Sequence, residues 1–350
     1  MRTGLLLLFS LSLGLAAAAE APAPEAATRA RAEALFNEAL GSSHEARITA
    51  LTEAVRLCEE EARYWVALGD TYRILDPATP AKEGEPPAAA RPVDLVQARR
   101  IYEQAIRFAP QSPLPHLRLA ELYWENDRAT AATHLDQAMA LDPENALPVY
   151  LRAALHFAAG ESAPGRQRLL DARRHPEMRL PVVMPTTELT VLQASNFLRG
   201  VSFVSMQHLR ALAREIVKAA GELQNTATED HIDPRILLTE GQRLAYRIMA
   251  GEPRNAIALL VGLAIDTVVS EPLDGILRGR ADADGLLRLQ RRKEAREALK
   301  ARVKEELAAL QERQLAALAQ PDKKLRVLHE EAALVEKLLK ESGLKETMDD

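Results

Sequence analysis

The sequence predicts an all-α protein, a run of stacked α-hairpins followed by a charged helical hairpin at its C-terminal end. The 350 residues are rich in Ala, Leu, Arg and Glu, the strongest helix formers, while aromatics make up only 4%. Apolar residues recur at steps of three and four along most of the chain, the period of a helix face rather than of a strand. Proline, glycine and Asp-Pro or Glu-Pro pairs punctuate the pattern at the length of helix pairs. A net charge of −5 with mixed signs offers no basic surface for nucleic acid, and no nucleic-acid partner is expected.

The first 19 residues read as a leader rather than as part of the fold. Arg2 is followed by the apolar run Leu5–Leu15 and the small residues Ala17, Ala18 and Ala19. This is a secretory signal pattern, too short for a spanning helix, with cleavage expected near Ala19. It predicts an exported protein, periplasmic or secreted and soluble after cleavage. The run 256–269 is the longest later apolar stretch, and Asp266 inside it points to a buried core helix. Cys58, the single cysteine, rules out a disulfide framework and suits a small core residue; an intermolecular disulfide is its alternative.

Residues 28–61 read as a first helix pair, with Leu51 and Ala54 in register. The stretch WVALGDTY places Trp65, Leu68, Gly69 and Tyr72 where one helix face can pack closely on a neighbour. Its second half arrives only at ARRIYEQAIRFAP, in which Ala98, Tyr102 and Ala105 share a face and Pro110 stops the helix. Together the two halves resemble the tetratricopeptide repeat, W-x2-L-G-x2-Y then A-x3-[FY]-x2-A-x4-P. The Tyr72–Ala98 interval exceeds the repeat's by seventeen residues, which marks 76–92 as an insertion in the turn, too rich in Pro, Gly and charge to fold alone. Leu119, Ala120, Tyr123, Ala131, Leu135, Ala138 and Pro143 supply the next unit. A third, at about 144–175, carries Arg152 and His156 where apolar residues are expected. The resemblance spans 28–175 and is clear over about 62–143.

Beyond 176 the helical reading continues without the repeat's residues. Thr186 or Thr187 is expected to cap a helix ending near Gly200, and a second helix runs through Leu209, Leu212, Ile216, Ala220 and Leu223. Asp233-Pro234 starts a third, ending at Gly251, and Pro253 starts a fourth, to about Val269. Residues 176–275 are thus expected to extend the hairpin array. From 285 to 341 a charged hairpin is expected, with a heptad-like seam through Leu325, Leu328, Ala332, Val335 and Leu339 facing Leu299, Val303, Leu307 and Leu310.

No phosphate-binding glycine loop, H-E-x-x-H, G-x-S-x-G or cysteine pair is present, so no catalytic, metal or cofactor residue is assigned and a non-enzyme is expected. The resemblance implies a concave groove lined by the first helix of each repeat. It maps Arg63, Val66, Asp70, Arg73, Leu117, Glu121, Trp124, Tyr150 and Phe157 there. The expected function is therefore a non-catalytic interaction scaffold or adaptor of the cell envelope, binding a segment of a protein partner. The alternative for the aromatics is packing against neighbouring helices or against 176–275. The alternative function is small-ligand binding or transport support in a pocket between the solenoid and those helices. The basic run Arg288, Arg292, Arg296, Lys300, Lys304 winds around its helix. It reads as a solvated face, with membrane-surface contact as the lesser alternative.

Overall fold

Helix boundaries follow from local capping chemistry. Asp94, Asp127, Asn145, Asp233 and Asn255 each stand before a helix and accept a hydrogen bond from a backbone N–H of its first turn. The computed structural model describes residues 24–73, 93–190, 193, 204–225, 232–318, 324–325 and 327–347. The expected leader and the expected insertion at 76–92 lie outside the described residues.

Eight helices form four hairpins in chain order: α1 (Pro24–Leu40) with α2 (His44–Leu57), α3 (Ala62–Arg73) with α4 (Leu95–Phe108), α5 (Leu114–Tyr123) with α6 (Arg128–Leu141), and α7 (Ala146–Ala158) with α8 (Ser162–Asp171). Each hairpin packs on the next through α2–α3, α4–α5 and α6–α7. Such pairs leave an apolar face that only a neighbouring pair can cover. The close approach expected between α3 and α4 is present. A Cβ on Gly69 would lie 2.3 Å from the Tyr102 ring, so glycine is what lets that ring rest on the α3 backbone. Ala98 and Ala105 flank it, fully buried. The two ends of the insertion meet, because the Asp94 N–H donates to the Tyr72 carbonyl at 2.8 Å. In the third unit the two polar intruders stay half-buried and pair with exposed acids, Arg152 with Asp136 and His156 with Glu161.

The chain after α8 departs from expectation. No helix starts at Thr186 or Thr187; Gln193 is helical, and the rest of the helix expected to end near Gly200 lies outside the described residues. Instead 177–190 is irregular and extended, closing in a two-residue antiparallel ladder between β1 (Leu189–Thr190) and β2 (Lys324–Leu325). Among the described residues four further helices follow: α9 (Val204–Asn225), α10 (Pro234–Ala250), α11 (Ala256–Gly279) and α12 (Ala283–Leu318). The last, α13 (Val327–Ser342), packs on α12. The α11 helix begins at an Asn255 cap rather than at Pro253 and runs past the expected end, carrying Pro272 within it. It is long and apolar enough to cross a membrane by length and composition, yet half of its apolar window is buried. Its fully buried Asp266 binds Arg292 and Arg296 of α12.

Those two ion pairs correct the reading of the basic run. Arg292 and Arg296 point inward and fasten α12 to α11, while Lys300 reaches Thr267 and Glu297. The seam between α12 and α13 uses Leu299, Val303, Val335, Leu338 and Leu339, and α11 joins it through Leu259 and Leu263. The connection between α12 and β2, residues 319–323, lies outside the described residues.

Gly69→Ala should lower stability despite the better helix propensity of Ala, worth about 1 kcal/mol. Overpacking against Tyr102 costs about 1–3 kcal/mol. Thermal unfolding should show a lower midpoint for the variant; an unchanged or raised midpoint would mean that the α3–α4 contact is loose.

Candidate functional site: a helix face filled by its own chain

The odd-numbered helices α1, α3, α5 and α7 share the face on which the groove residues were placed, and residues 177–190 run along it from α7 back to α1. The fastening is largely through the main chain. At α7, the Ala146 N–H donates to the Glu177 carbonyl and the Arg179 N–H to the Asn145 side chain. At α5, Arg118 donates to the Pro181 carbonyl. At α1, the Thr186 N–H donates to Asn37 Oδ1 at 2.7 Å, and the Thr186 hydroxyl donates to Glu33. Residues 178–180 are held from the opposite side as well, by reciprocal bonds with the backbone of Glu252 in the α10–α11 turn. Apolar side chains of the segment fill the face beneath. Met178 and Leu180 join the core of α5–α12, and Val183 and Leu189 join the core of α1–α4.

An ion cluster sits at the middle of this face. Arg118 is completely buried, with Nη2 2.8 Å from Asp70 and Nη1 3.0 Å from Glu121. Arg73 reaches the same Glu121 oxygen, Tyr102 donates to Asp70, and Ser205 of α9 donates to Glu121. Burial alone would raise the Glu121 pKa. The adjacent Arg118 and Arg73 guanidiniums override it and hold the carboxyl at about 2. The same acids hold Arg118 charged despite its burial. Desolvation, then Asp70, push the Tyr102 phenol well above its usual range, so it stays a donor.

Of the nine groove residues, only Arg63 keeps substantial exposure, its side chain a third accessible between Glu33 and Glu61. Val66 and Leu117 are core. Asp70, Arg73 and Glu121 belong to the ion cluster. The three aromatics take the packing role that the sequence left open. Trp124 stacks on His208 of α9 at 3.8 Å between ring centroids. Tyr150 donates to Glu240 of α10 and accepts from Arg247. Phe157 faces its own hairpin partner, where Gly165 of α8 leaves room for the ring. Sequence reasoning missed Arg118, Asn37 and Asn145. The missing signal is a buried charge or amide whose partner is a backbone carbonyl or N–H far along the chain.

Asp233 and Asp282 both bind Arg235, and among the described residues no three His, Cys, Asp or Glu side chains gather as a metal site. Cys58 is buried at the end of α2, and burial raises its thiol pKa. No family model matches the sequence and no curated protein matches it, so the tetratricopeptide resemblance rests on the residues quoted for it.

Arg118→Met should cost about 3–5 kcal/mol, because it leaves Asp70 and Glu121 buried with fewer counter-charges. Denaturant unfolding of the full chain reads this directly. The Glu121 contribution also predicts an acid limb. Its folded pKa lies below the ordinary 4.5, so the stabilisation is full above pH 4.5 and fades as pH falls toward 2. Glu121→Gln should be less stable at neutral pH and show a flatter loss across that window. An identical slope in both proteins would contradict the assignment.

Proposed function

We propose that this chain is a non-catalytic interaction scaffold of the cell envelope, whose odd-helix face receives an extended protein segment. One observation carries the reading: that face already holds an extended segment, the chain's own residues 177–190. Main-chain recognition by Asn145, Arg118 and Asn37 specifies an extended backbone more than a particular sequence. A foreign segment with apolar side chains at the Val183 and Leu189 positions meets the same requirements.

The two halves of the resident segment differ in how firmly they are held. Residues 177–181 are bonded from both sides, by the hairpin array and by Glu252. Residues 182–190 rest on α1–α3 through Asn37, Glu33 and the side chains of Val182, Val183, Met184 and Leu189, with Leu189 and Thr190 paired to β2, and they lack the Glu252 pairing that holds the near half. Exchange with a partner is therefore placed at 182–190, beside Arg63, the one groove residue left substantially open. The signal pattern at 1–19 supports the envelope location. Selectivity would come from Arg63 and Glu33 at the rim, where charge steers encounter more than it adds affinity.

The test uses a synthetic peptide of residues 177–190 and the full mature chain. Val183→Asp should loosen the resident segment, so the labelled peptide should bind this variant at least tenfold more tightly than the unmodified protein. Adding Arg63→Glu should weaken that binding. Failure of the peptide to bind a folded Val183→Asp protein would contradict an exchangeable face.

A further inference from the structure

We propose a second binding site, for a small organic anion, in a pocket at the junction of the hairpin array with the C-terminal helices. It does not depend on the scaffold reading, and it gives the small-ligand alternative a definite place. The pocket has a volume of about 250 Å³ and lies between α10 and α12. The C-terminal end of α11 closes one side, and Arg173, just past α8, closes another.

The lining is built by helix periodicity. Arg235, Thr239 and Arg243 stand one turn apart on one face of α10. Gly285, Arg288 and Arg292 do the same on the facing side of α12. A Cβ on Gly285 would lie 2.7 Å from Leu277, so glycine allows the α11–α12 corner to close tightly behind the pocket. Among the described residues, five arginines, at 173, 235, 243, 288 and 292, line the pocket together with one carboxylate, Asp282.

The carboxylates behind this wall do not cancel its charge, because each is shared. Glu240 serves Arg173 and Arg243, Asp233 serves Arg235 and Arg280, and Asp266 serves Arg292 and Arg296. Among the described residues cations therefore outnumber anions around a concave space with low-dielectric walls, which focuses positive potential into it. The rest of the lining is apolar: Leu273, Leu277 and Leu289, with Ile236 39% exposed. A cationic wall beside an apolar one fits a carboxylate or phosphate head on a short apolar body. The volume lies just below the usual range of about 300–1,000 Å³ for drug-sized ligands, which limits that body to a few carbons or one ring.

Arg292 is not the ligand-facing cation. Its donors are committed to Asp266, the Gln242 and Leu344 carbonyls and the Thr347 hydroxyl, so it forms the fixed floor. Arg288 is exposed at the pocket and is the cation to change without disturbing the floor.

Isothermal titration of the full mature chain with phenyl phosphate, hexanoate and inorganic phosphate tests the site, with thermal unfolding as the control for folding. At least one organic anion should bind at least tenfold more tightly than inorganic phosphate. Both Arg288→Glu, which reverses a charge, and Ile236→Trp, which fills the mouth while leaving every charge in place, should weaken it at least tenfold. Equal binding of inorganic phosphate, indifference to Ile236→Trp in a folded protein, or absence of binding by all three probes would each overturn the proposal.

Discussion

The Arg118 guanidinium is the constraint on which the arrangement of the hairpin array depends. It is fully buried, and its partners are Glu121 one turn along its own helix and two groups distant in the chain, Asp70 on α3 and the Pro181 carbonyl of the extended segment. A buried charge is tolerated only where such partners are fixed around it, and each partner is in turn fixed by another group. Tyr102 holds Asp70 from α4, while Arg73 and Ser205 hold Glu121 from α3 and α9. The second hairpin, the third hairpin, the segment 177–190 and α9 are thereby tied at one point.

The same logic recurs twice toward the C-terminal end. Glu240 on α10, fully buried, gathers Tyr150 from α7 with Arg173 and Arg243. Asp266 on α11, also fully buried, gathers Arg292 and Arg296 from α12. Three buried ionic knots therefore join helices whose apolar contacts are non-directional, and they fix which faces meet. The extended segment belongs to the first knot and is also the natural point of change, since its far half lies beyond both Pro181 and the Glu252 pairing.

Much of the helical framework was legible in the sequence. The close-packing faces that carry Gly69 on α3 and Tyr102 on α4, and the Asp233 cap, follow from residue spacing, because they are local or nearly so. The candidate site was less legible. Asp70, Glu121, Tyr150 and their neighbours were placed on a groove-lining helix face, but spacing says only that a face exists and not what covers it. Residues 177–190 carry no helix signal strong enough to resist Thr186 and Thr187 being read as caps. Only the fold shows that the Thr186 amide is satisfied by Asn37, 149 residues away. Arg292 and Arg296 were hidden for a similar reason: a basic run looks solvated until a buried acid such as Asp266 is found opposite it.

Hydrogen exchange of the unmodified chain, resolved along residues 177–190, tests the central claim most directly. Local opening free energies separate parts of a fold that move alone from parts that open only with the whole. The account predicts that the 179 and 180 amides are protected to the same degree as α3 and α5. The amides of 183–190, the Asn37-bonded Thr186 included, should exchange by an easier local opening. Uniform protection of 178–190 at the level of α5 would make the whole segment a permanent part of the core and contradict an exchangeable face.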